Sequence, residues 1–459
     1  MIKNVISVID GEAGSCGKAK VIGEIATDKS IKLGASVTNC MPNAGHTFVD
    51  EKGTVTIFRN IPVSSVNPDT ELFIGPGSAI DMEIFEEEYE QAKKYLGDRK
   101  IYVHEMVPLI DERHKQYERE HIKSGSTFKG CGAVTQEKVI RDKKLEFFRS
   151  FKNAVVCSNN QWLERLYSHL DNPSEYVMLE GAQGCDLDLN HSGNYPFVTS
   201  RNVSTSQLLA DSGISPERLL QTIMVIRPFP IRISNITRTG DFIYTGDYGK
   251  GEELTWTQIN LASMYGSYPF KGDVECLPHN INLNRVKKLI SQCPEIYLKQ
   301  LFGNDFRNIK IADLKILQIL ELERLVYKSK GFSDYESRFL DMGMFDKDFP
   351  PNTIFDQSEQ TSVTRMERRV FDLDITKLKT NCRINTPSSL YLNFFQQLGL
   401  DYKGKIGNFD DYYFNRYLRE YLNWLESETG VEISALGTGA RNGERILKKT
   451  LVKNIQKRW

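Results

Sequence analysis

The chain has 459 residues, of which 40% are hydrophobic, 10% aromatic and 26% charged, a composition with enough apolar mass for a large core. Its 59 lysines and arginines almost cancel its 60 aspartates and glutamates, leaving a net charge of −1, so no whole-chain field draws it to nucleic acid or to an anionic membrane. No window approaches the ~18 uncharged apolar residues of a spanning helix, and the eight cysteines and seven histidines show neither CxxC nor zinc spacing, which points to a reducing cytoplasm, of a cell or of an infected host.

In chain order, residues 1–10 are β-rich and are interrupted by Asp10 too soon for a signal segment, so they read as a buried strand. They run into Gly11-Glu-Ala-Gly-Ser-Cys-Gly-Lys-Ala-Lys20 and then a helical pattern over about 19–29. Strand, glycine-rich turn, helix opens an α/β fold. Apolar runs at 54–58, 71–74, 101–103, 176–180 and 220–226, separated by helical stretches at 82–96 and 160–170, predict a large, mostly parallel central sheet flanked by helices. Residues 265–355 differ. Helical patterns at 283–292 and 309–329 give way to Gly-, Asp-, Phe- and Pro-rich loop material at 331–352, which predicts a mainly helical insertion between core parts 1–264 and 356–459. The aromatic stretch 408–428 reads as an amphipathic packing helix.

Three segments carry chemistry. In Gly11–Lys20, backbone N–H groups at a helix N-terminus can face an anion and Lys18 can reach phosphate oxygens. The strict GxxxxGK[ST] pattern is missed, because Gly11 lies one residue early and Ala19 stands where Ser or Thr binds Mg²⁺, so a purely structural turn stays open. In Asn43-Ala-Gly-His-Thr47, His46 can face a phosphoryl group or an oxyanion, or serve only in packing. In Leu179-Glu-Gly-Ala-Gln-Gly184 an apolar strand ends in small residues around Gln183, as at the mouth of a ligand crevice.

Taken in order, these segments resemble the adenylosuccinate synthetase family, which joins aspartate to C6 of a purine nucleotide. The family's GDEGKGK, NAGHT, TTGRGIGP, EGAQG with HGTYPFVTSSN, Thr/Arg-rich loop and terminal STGP meet Gly14–Lys20, Asn43–Thr47, Ser126–Gly132, Glu180–Ser200, Thr361–Arg369 and Gly437–Ala440 here. Ile74-Gly-Pro-Gly77 fits as well, and Glu253-Leu-Thr-Trp256 with Thr364–Phe371 points to the compact archaeal and viral branch. The resemblance implies a P-loop-like α/β fold. It also implies transfer of a nucleoside triphosphate's γ-phosphate to the purine O6, followed by displacement by the aspartate amine. Carried over by position, Ser15, Lys18, His46 and Gln183 would be the catalytic group. Gly14, Gly17, Lys18, Gly45, His46, Thr47, Ser388, Gly437 and Gly439 would hold the triphosphate and the transferring phosphoryl group. Ser15, Asn43, Ser126, Thr127, Gln183 and Thr199 would grip the nucleoside monophosphate, with Arg141 reaching a neighbour's 5′-phosphate across a homodimer. Thr364 and Arg368 would bind aspartate, a guanidinium clamping a carboxylate, and Ser15 with the Gly45 carbonyl would lie at the Mg²⁺ position.

Departures from the pattern bear on the substrate. Ser15 replaces the family's catalytic, Mg²⁺-binding aspartate, and a serine is no efficient base near neutral pH. Thr386-Pro-Ser388 falls where the family reads guanine with Lys-x-Asp; without a carboxylate to accept guanine's N–H groups, GTP is disfavoured and ATP or dATP is expected. Met366 stands for an arginine near the ribose, and Met41 and Pro42 replace glycines before Asn43. The first two resemble the viral 2-aminoadenylosuccinate synthetases. The expectation is therefore a ligase joining L-aspartate to dGMP, giving N6-succino-2-amino-2′-deoxyadenylate for diaminopurine DNA. The alternatives are an adenylosuccinate synthetase acting on IMP and a nucleotide-binding pseudoenzyme. The partners are small molecules, with no nucleic acid and no membrane.

Overall fold

The computed structural model describes residues 1–122, 126–235, 242–254, 256, 259, 263, 287, 290–303, 322, 325, 359 and 368–457. Twelve strands form one sheet, in the order 150–151, 154–157, 101–104, 71–74, 33–38, 176–180, 5–10, 219–226, 389–392, 433–437, 445–447 and 407–408. Every pairing from Ala154–Cys157 across to Ile433–Gly437 is parallel; antiparallel pairing is confined to the two margins, at 150–151 and 445–447. Both core parts read from the sequence, before 264 and after 356, thus supply strands to the same sheet.

The central strands Val5–Asp10 and Leu33–Thr38 are buried at every residue, as expected where helices cover both faces of a parallel sheet. Side-chain alternation divides the core in two. Val5, Ile9, Val37, Phe73 and Leu179 join one apolar cluster, while Ile6, Val8, Leu72, Ile74 and Met178 join the other. On the second face lies the helix Met82–Leu96. Asp81 caps it by accepting from the N–H groups of Glu83 (3.1 Å) and Ile84 (3.3 Å), and it buries Phe85, Tyr89, Ala92 and Leu96 at helical spacing. The helix Asn159–Leu170, with a Ser158/Gln161 capping box, presses Trp162, Leu166 and Leu170 onto the first face. Truncating Trp162 to alanine is expected to cost about 3–5 kcal/mol.

The runs at 71–74, 101–103, 176–180 and 220–226 are sheet strands, as the sequence predicted. The run at 54–58 is not. Val55–Phe58 pairs with His46–Val49 in a separate antiparallel hairpin. The amphipathic helix expected over 408–428 starts only at Arg416, because the preceding aromatics pack locally: Phe409 stacks on Phe414 at 4.5 Å and Tyr402 on Phe414 at 5.1 Å. Most of residues 265–355, which the sequence marks as an insertion, lies outside the described residues. Within it the helix Glu295–Phe302 is described, and Cys293, Leu298, Leu322 and Leu325 form a small cluster.

Candidate active site

The strand Val5–Asp10 ends in the sheet's middle, and the loop after it turns through positive φ at Gly14 (92°), Ser15 (57°) and Gly17 (86°). These values bend successive backbone N–H groups inward. Gly17 is the N-cap of the helix Lys18–Ala26, and a Cβ there would lie 2.1 Å from Nδ2 of Asn393, so the position needs glycine for space as well as conformation. Ser15 bears φ 57° without that freedom, and strain of this kind gathers at functional loops.

Lys18 is 6% exposed. Its Nζ donates to Asp10 Oδ2 at 3.1 Å and to the backbone oxygen of Gln183 at 2.9 Å. Gln183 itself has φ 61°, and the backbone at Gly184 approaches Glu12 and Gly14 so closely that a Cβ would meet their atoms at 2.2 Å. The Gly14–Lys18 loop and the Gln183 loop therefore pack directly against each other at the carboxyl ends of adjacent parallel strands, the usual ligand position in such sheets.

His46 opens the hairpin beside them. It is buried, and burial followed by the charge of Lys18 brings it down to about 3; it is a neutral imidazole, with Nε2 3.5 Å from the Cys40 thiol. Burial pushes the Cys40 and Cys131 thiols up to about 12, and burial with the charges of Asp10 and Glu12 raises Cys16 well above the usual thiol range. None of the three is a reactive thiolate.

Several residues of the site lie far away in sequence. Asn393 follows the strand Ser389–Leu392 and donates to the Cys16 carbonyl at 3.0 Å. A Cβ on Gly437 would lie 2.0 Å from its Oδ1, so Asn393 wedges Gly437 against the phosphate loop. Gly439 follows under the Glu444 carboxylate, and Asn442 N–H donates to the Val49 carbonyl at 2.8 Å, next to His46 and Thr47 on their hairpin. Arg227, fully buried, donates to the Ser15 carbonyl at 3.3 Å and grips the Glu359 carboxylate at 2.5 and 2.8 Å. Glu359 also accepts from Arg368 at 3.4 Å, so a charge chain runs from Arg368 to the phosphate loop.

A second glycine loop, from Ser126 to Gly132, feeds the helix Cys131–Ile140. Ser126 Oγ accepts from Phe128 N–H at 3.1 Å, and Thr127 lies between them. Arg141, the C-cap of that helix (φ 59°), is exposed beside exposed Val139 and Ile140. Asn43 and Gly45 are half-buried before His46, and Thr199 N–H donates to the Leu187 carbonyl at 2.8 Å. Thr364 and Met366 lie outside the described residues.

Ser388 does not join this assembly. Its N–H donates to the Thr222 carbonyl, and the neighbouring Ser389 pairs with Ile223, whereas Asp10 pairs with Val225. It stands three residues before the end of the sheet that carries the site, or ~10 Å at strand rise. The sequence assigned the triphosphate base to 386–388; the parallel register instead brings Asn393 to the Cys16 carbonyl and Phe394 against the Arg227 guanidinium. Asp10, Glu12, Arg227, Glu359 and Asn393 were not singled out from sequence at all.

The donor set for Mg²⁺ is poor. Ser15 offers a hydroxyl and Gly45 a carbonyl, while the adjoining carboxylates Asp10 and Glu12 are wholly buried and engaged by the chain itself. No group of three or more His, Cys, Asp or Glu able to hold a metal occurs among the described residues, and a protein-held Mg²⁺ normally has a carboxylate. The residues present do not fit that role.

A family model for adenylosuccinate synthetase matches residues 8–154 and 142–241. The N6-succino-2-amino-2′-deoxyadenylate synthase of Vibrio phage phiVC8 is 33% identical over 271 residues, covering 56% of this chain and 74% of the phage protein. The adenylosuccinate synthetase of Methanocaldococcus jannaschii is 32% identical over 234 residues, covering 49% and 65%. Among solved structures, the succinoaminodeoxyadenylate synthetase of cyanophage S-2L, bound to dGMP and to dATP as an energy donor, has the same fold: TM-score 0.64 at 20% identity, over 98% of this chain and 97% of that one. Fully ligated adenylosuccinate synthetase from Plasmodium falciparum follows at TM-score 0.60 and 15% identity, over 97% and 100%. Among the described residues no helix is long and apolar enough to cross a membrane.

Proposed function

The chain belongs to the adenylosuccinate synthetase family and is a carbon–nitrogen ligase of purine nucleotides driven by a nucleoside triphosphate, and on that premise we propose that it joins L-aspartate to C6 of dGMP, with ATP or dATP as the phosphoryl donor. The observation that carries this reading is Ser15: an uncharged hydroxyl in the strained phosphate loop, where the family has an aspartate. A small neutral side chain leaves room beside N1 for the 2-amino group of guanine. The phage relative named for the succino-2-amino-2′-deoxyadenylate reaction supports it.

In this reading Lys18 leaves Asp10 and the Gln183 carbonyl to hold the phosphoryl group moving onto O6. Neutral His46 donates one ring N–H to the charge growing there; being uncharged, it can polarise the oxygen without giving up a full proton. Arg368 clamps a carboxylate of L-aspartate so that its amine faces C6. Glu359 now takes that guanidinium, so aspartate displaces one carboxylate with another. Any Mg²⁺ would be held by the substrates' phosphates rather than by a carboxylate of the chain. Exposed Arg141 would face a second subunit.

A coupled assay tests the reading: triphosphate consumption with aspartate and Mg²⁺, offering dGMP, GMP, IMP and dIMP separately, with mass detection of the succinylated product. Product from dGMP with little from IMP is expected. Product from IMP alone would make the enzyme a divergent adenylosuccinate synthetase, a reading favoured by the archaeal relatives.

A further inference from the structure

Asp10 closes a wholly buried strand and belongs to none of the motifs named above, yet its carboxylate sits in the middle of the phosphate loop. Oδ1 accepts from the backbone N–H groups of Glu12 (3.0 Å) and Gly14 (3.2 Å) and from the Cys16 thiol (3.1 Å). Oδ2 accepts from the N–H of Cys16 (3.0 Å) and from Lys18 Nζ (3.1 Å). Alternate N–H groups converging on one centre opposite a lysine are what a phosphate oxygen needs from such a loop. Here the chain supplies the anion.

Burial and the charge of Asp10 raise the Glu12 carboxyl well above the usual carboxylate range; it lies against Asp10 across the Cys16 thiol, 3.2 Å from Oε2. Arg227 is matched by Glu359. Asp10 and Lys18 pair at 3.1 Å, and both are shut away from solvent.

We propose that Asp10 is a positioning residue: a built-in counter-anion that keeps the phosphate loop formed and Lys18 aimed in the free enzyme, and that yields Lys18 to the transferring phosphoryl group when the nucleotides bind. The exchange swaps one anion for another at a single ammonium, so the loop enters the reaction already shaped. With five donors on its two oxygens and no exposure, Asp10 acts through Lys18 and the loop and is not the base that Ser15 fails to be. The inference rests on the phosphoryl-transfer reading above.

The test uses the full chain and the variants Asp10→Ala and Asp10→Asn. In Asp10→Ala the nest loses its anion while a cavity of carboxylate size remains. Both Tm and kcat should fall, kcat by about 10²-fold as expected for a misplaced binding group, with KM for the triphosphate unchanged or lower because the internal competitor is gone. Added formate should raise Tm and kcat of this variant, and chloride at equal ionic strength should not. Wild-type kcat and Tm in Asp10→Ala would overturn the proposal, and so would a loss of kcat that formate leaves untouched. If Asp10→Ala does not fold, Asp10→Asn decides: inorganic phosphate should raise its Tm more than that of the wild type, and equal shifts would overturn the proposal. A wild-type enzyme that succinylates none of the four purine nucleotides sinks the functional reading alone, because the Tm responses to formate and phosphate still rule on Asp10.

Discussion

Two glycine-rich loops lead into helix N-termini in this molecule, and each has a carboxylate of the chain seated on its N–H groups. In the first, Asp10 accepts from residues 12, 14 and 16 and is paired with Lys18. In the second, Glu118, on the helix Glu112–His121, accepts from Gly130 (2.9 Å) and Gly132 (2.7 Å), and among the described residues no lysine or arginine is paired with it. The backbone chemistry is the same: a helix N-terminus stabilised by an anion. The difference is the cation. A carboxylate held by N–H groups alone is a fastening. One that shares a lysine can be relieved of it by an incoming phosphate, which is the exchange proposed for the first loop.

The strongest way to break the contrast is Lys18→Met. It removes the cation from the first loop and leaves Asp10 as an unpaired buried charge, expected to cost about 3–5 kcal/mol. Turnover should fall by ~10²–10³ through lost stabilisation of the phosphoryl group. Urea unfolding and steady-state kinetics on the same preparation check both, and full stability would mean that Asp10 does not depend on Lys18.

Next in size is Glu118→Gln. An amide presents its NH₂ to one of the two glycine N–H groups, which is then left without an acceptor, at about 1–3 kcal/mol. If the second loop is only a fastening for the segment with Ser126 and Thr127, KM for the nucleoside monophosphate should rise while kcat stays near wild type. A fall in kcat as large as that of Lys18→Met would put the two loops in the same class.

His46 reports on the first loop's cation through pH. Its folded value, about 3, lies below the ordinary 6.5, so the stability it contributes is complete above about pH 6.5 and is lost as pH falls toward 3. The slope approaches ~1.4 kcal/mol per pH unit. Nitrogen-15 NMR of the histidines should find this ring neutral throughout that range, and His46→Gln should flatten the acid limb of the unfolding curve by one proton. A His46 that titrates near 6 would mean that neither burial nor Lys18 acts on it as the geometry requires.

Much of the first loop was readable before folding, because strand, turn, lysine and helix are consecutive; the order Gly14, Gly17, Lys18 alone suggests an anion site. Its internal anion was not, since Asp10 looks like the polar last residue of a strand until positive φ at Gly14 and Ser15 folds the backbone over it. Arg227 and Glu359 are 132 positions apart and carry no local pattern, and Glu118 lies 12 residues before the glycine it serves. Such contacts depend on tertiary distance, which periodicity does not encode. The strands at 71–74 and 101–103 were legible as continuous apolar runs; the run at 54–58 looked the same and became a hairpin, because pairing partners are chosen by the whole sheet.

Register also decides the smallest expected effect. Read as sequence, Thr386-Pro-Ser388 stands where a carboxylate would select guanine, so Ser388→Asp should move triphosphate use toward GTP. In the folded chain Ser388 pairs with Thr222, and the strand must run on to Leu392 before Asn393 turns to the Cys16 carbonyl and Phe394 lies under the Arg227 guanidinium, 4.1 Å away. A carboxylate at 388 would therefore face the opposite end of the sheet, ~10 Å from the phosphate loop. Ser388→Asp is expected to leave the ratio of ATP to GTP use unchanged, measured as kcat/KM for each. Asn393→Ala, by contrast, strips the Cys16 carbonyl of its donor and should cost about 1 kcal/mol and slow turnover with either triphosphate. A shift toward GTP in Ser388→Asp would mean that the triphosphate base reaches round the strand's amino end, and that the loop beside Asn393 serves the other nucleotide.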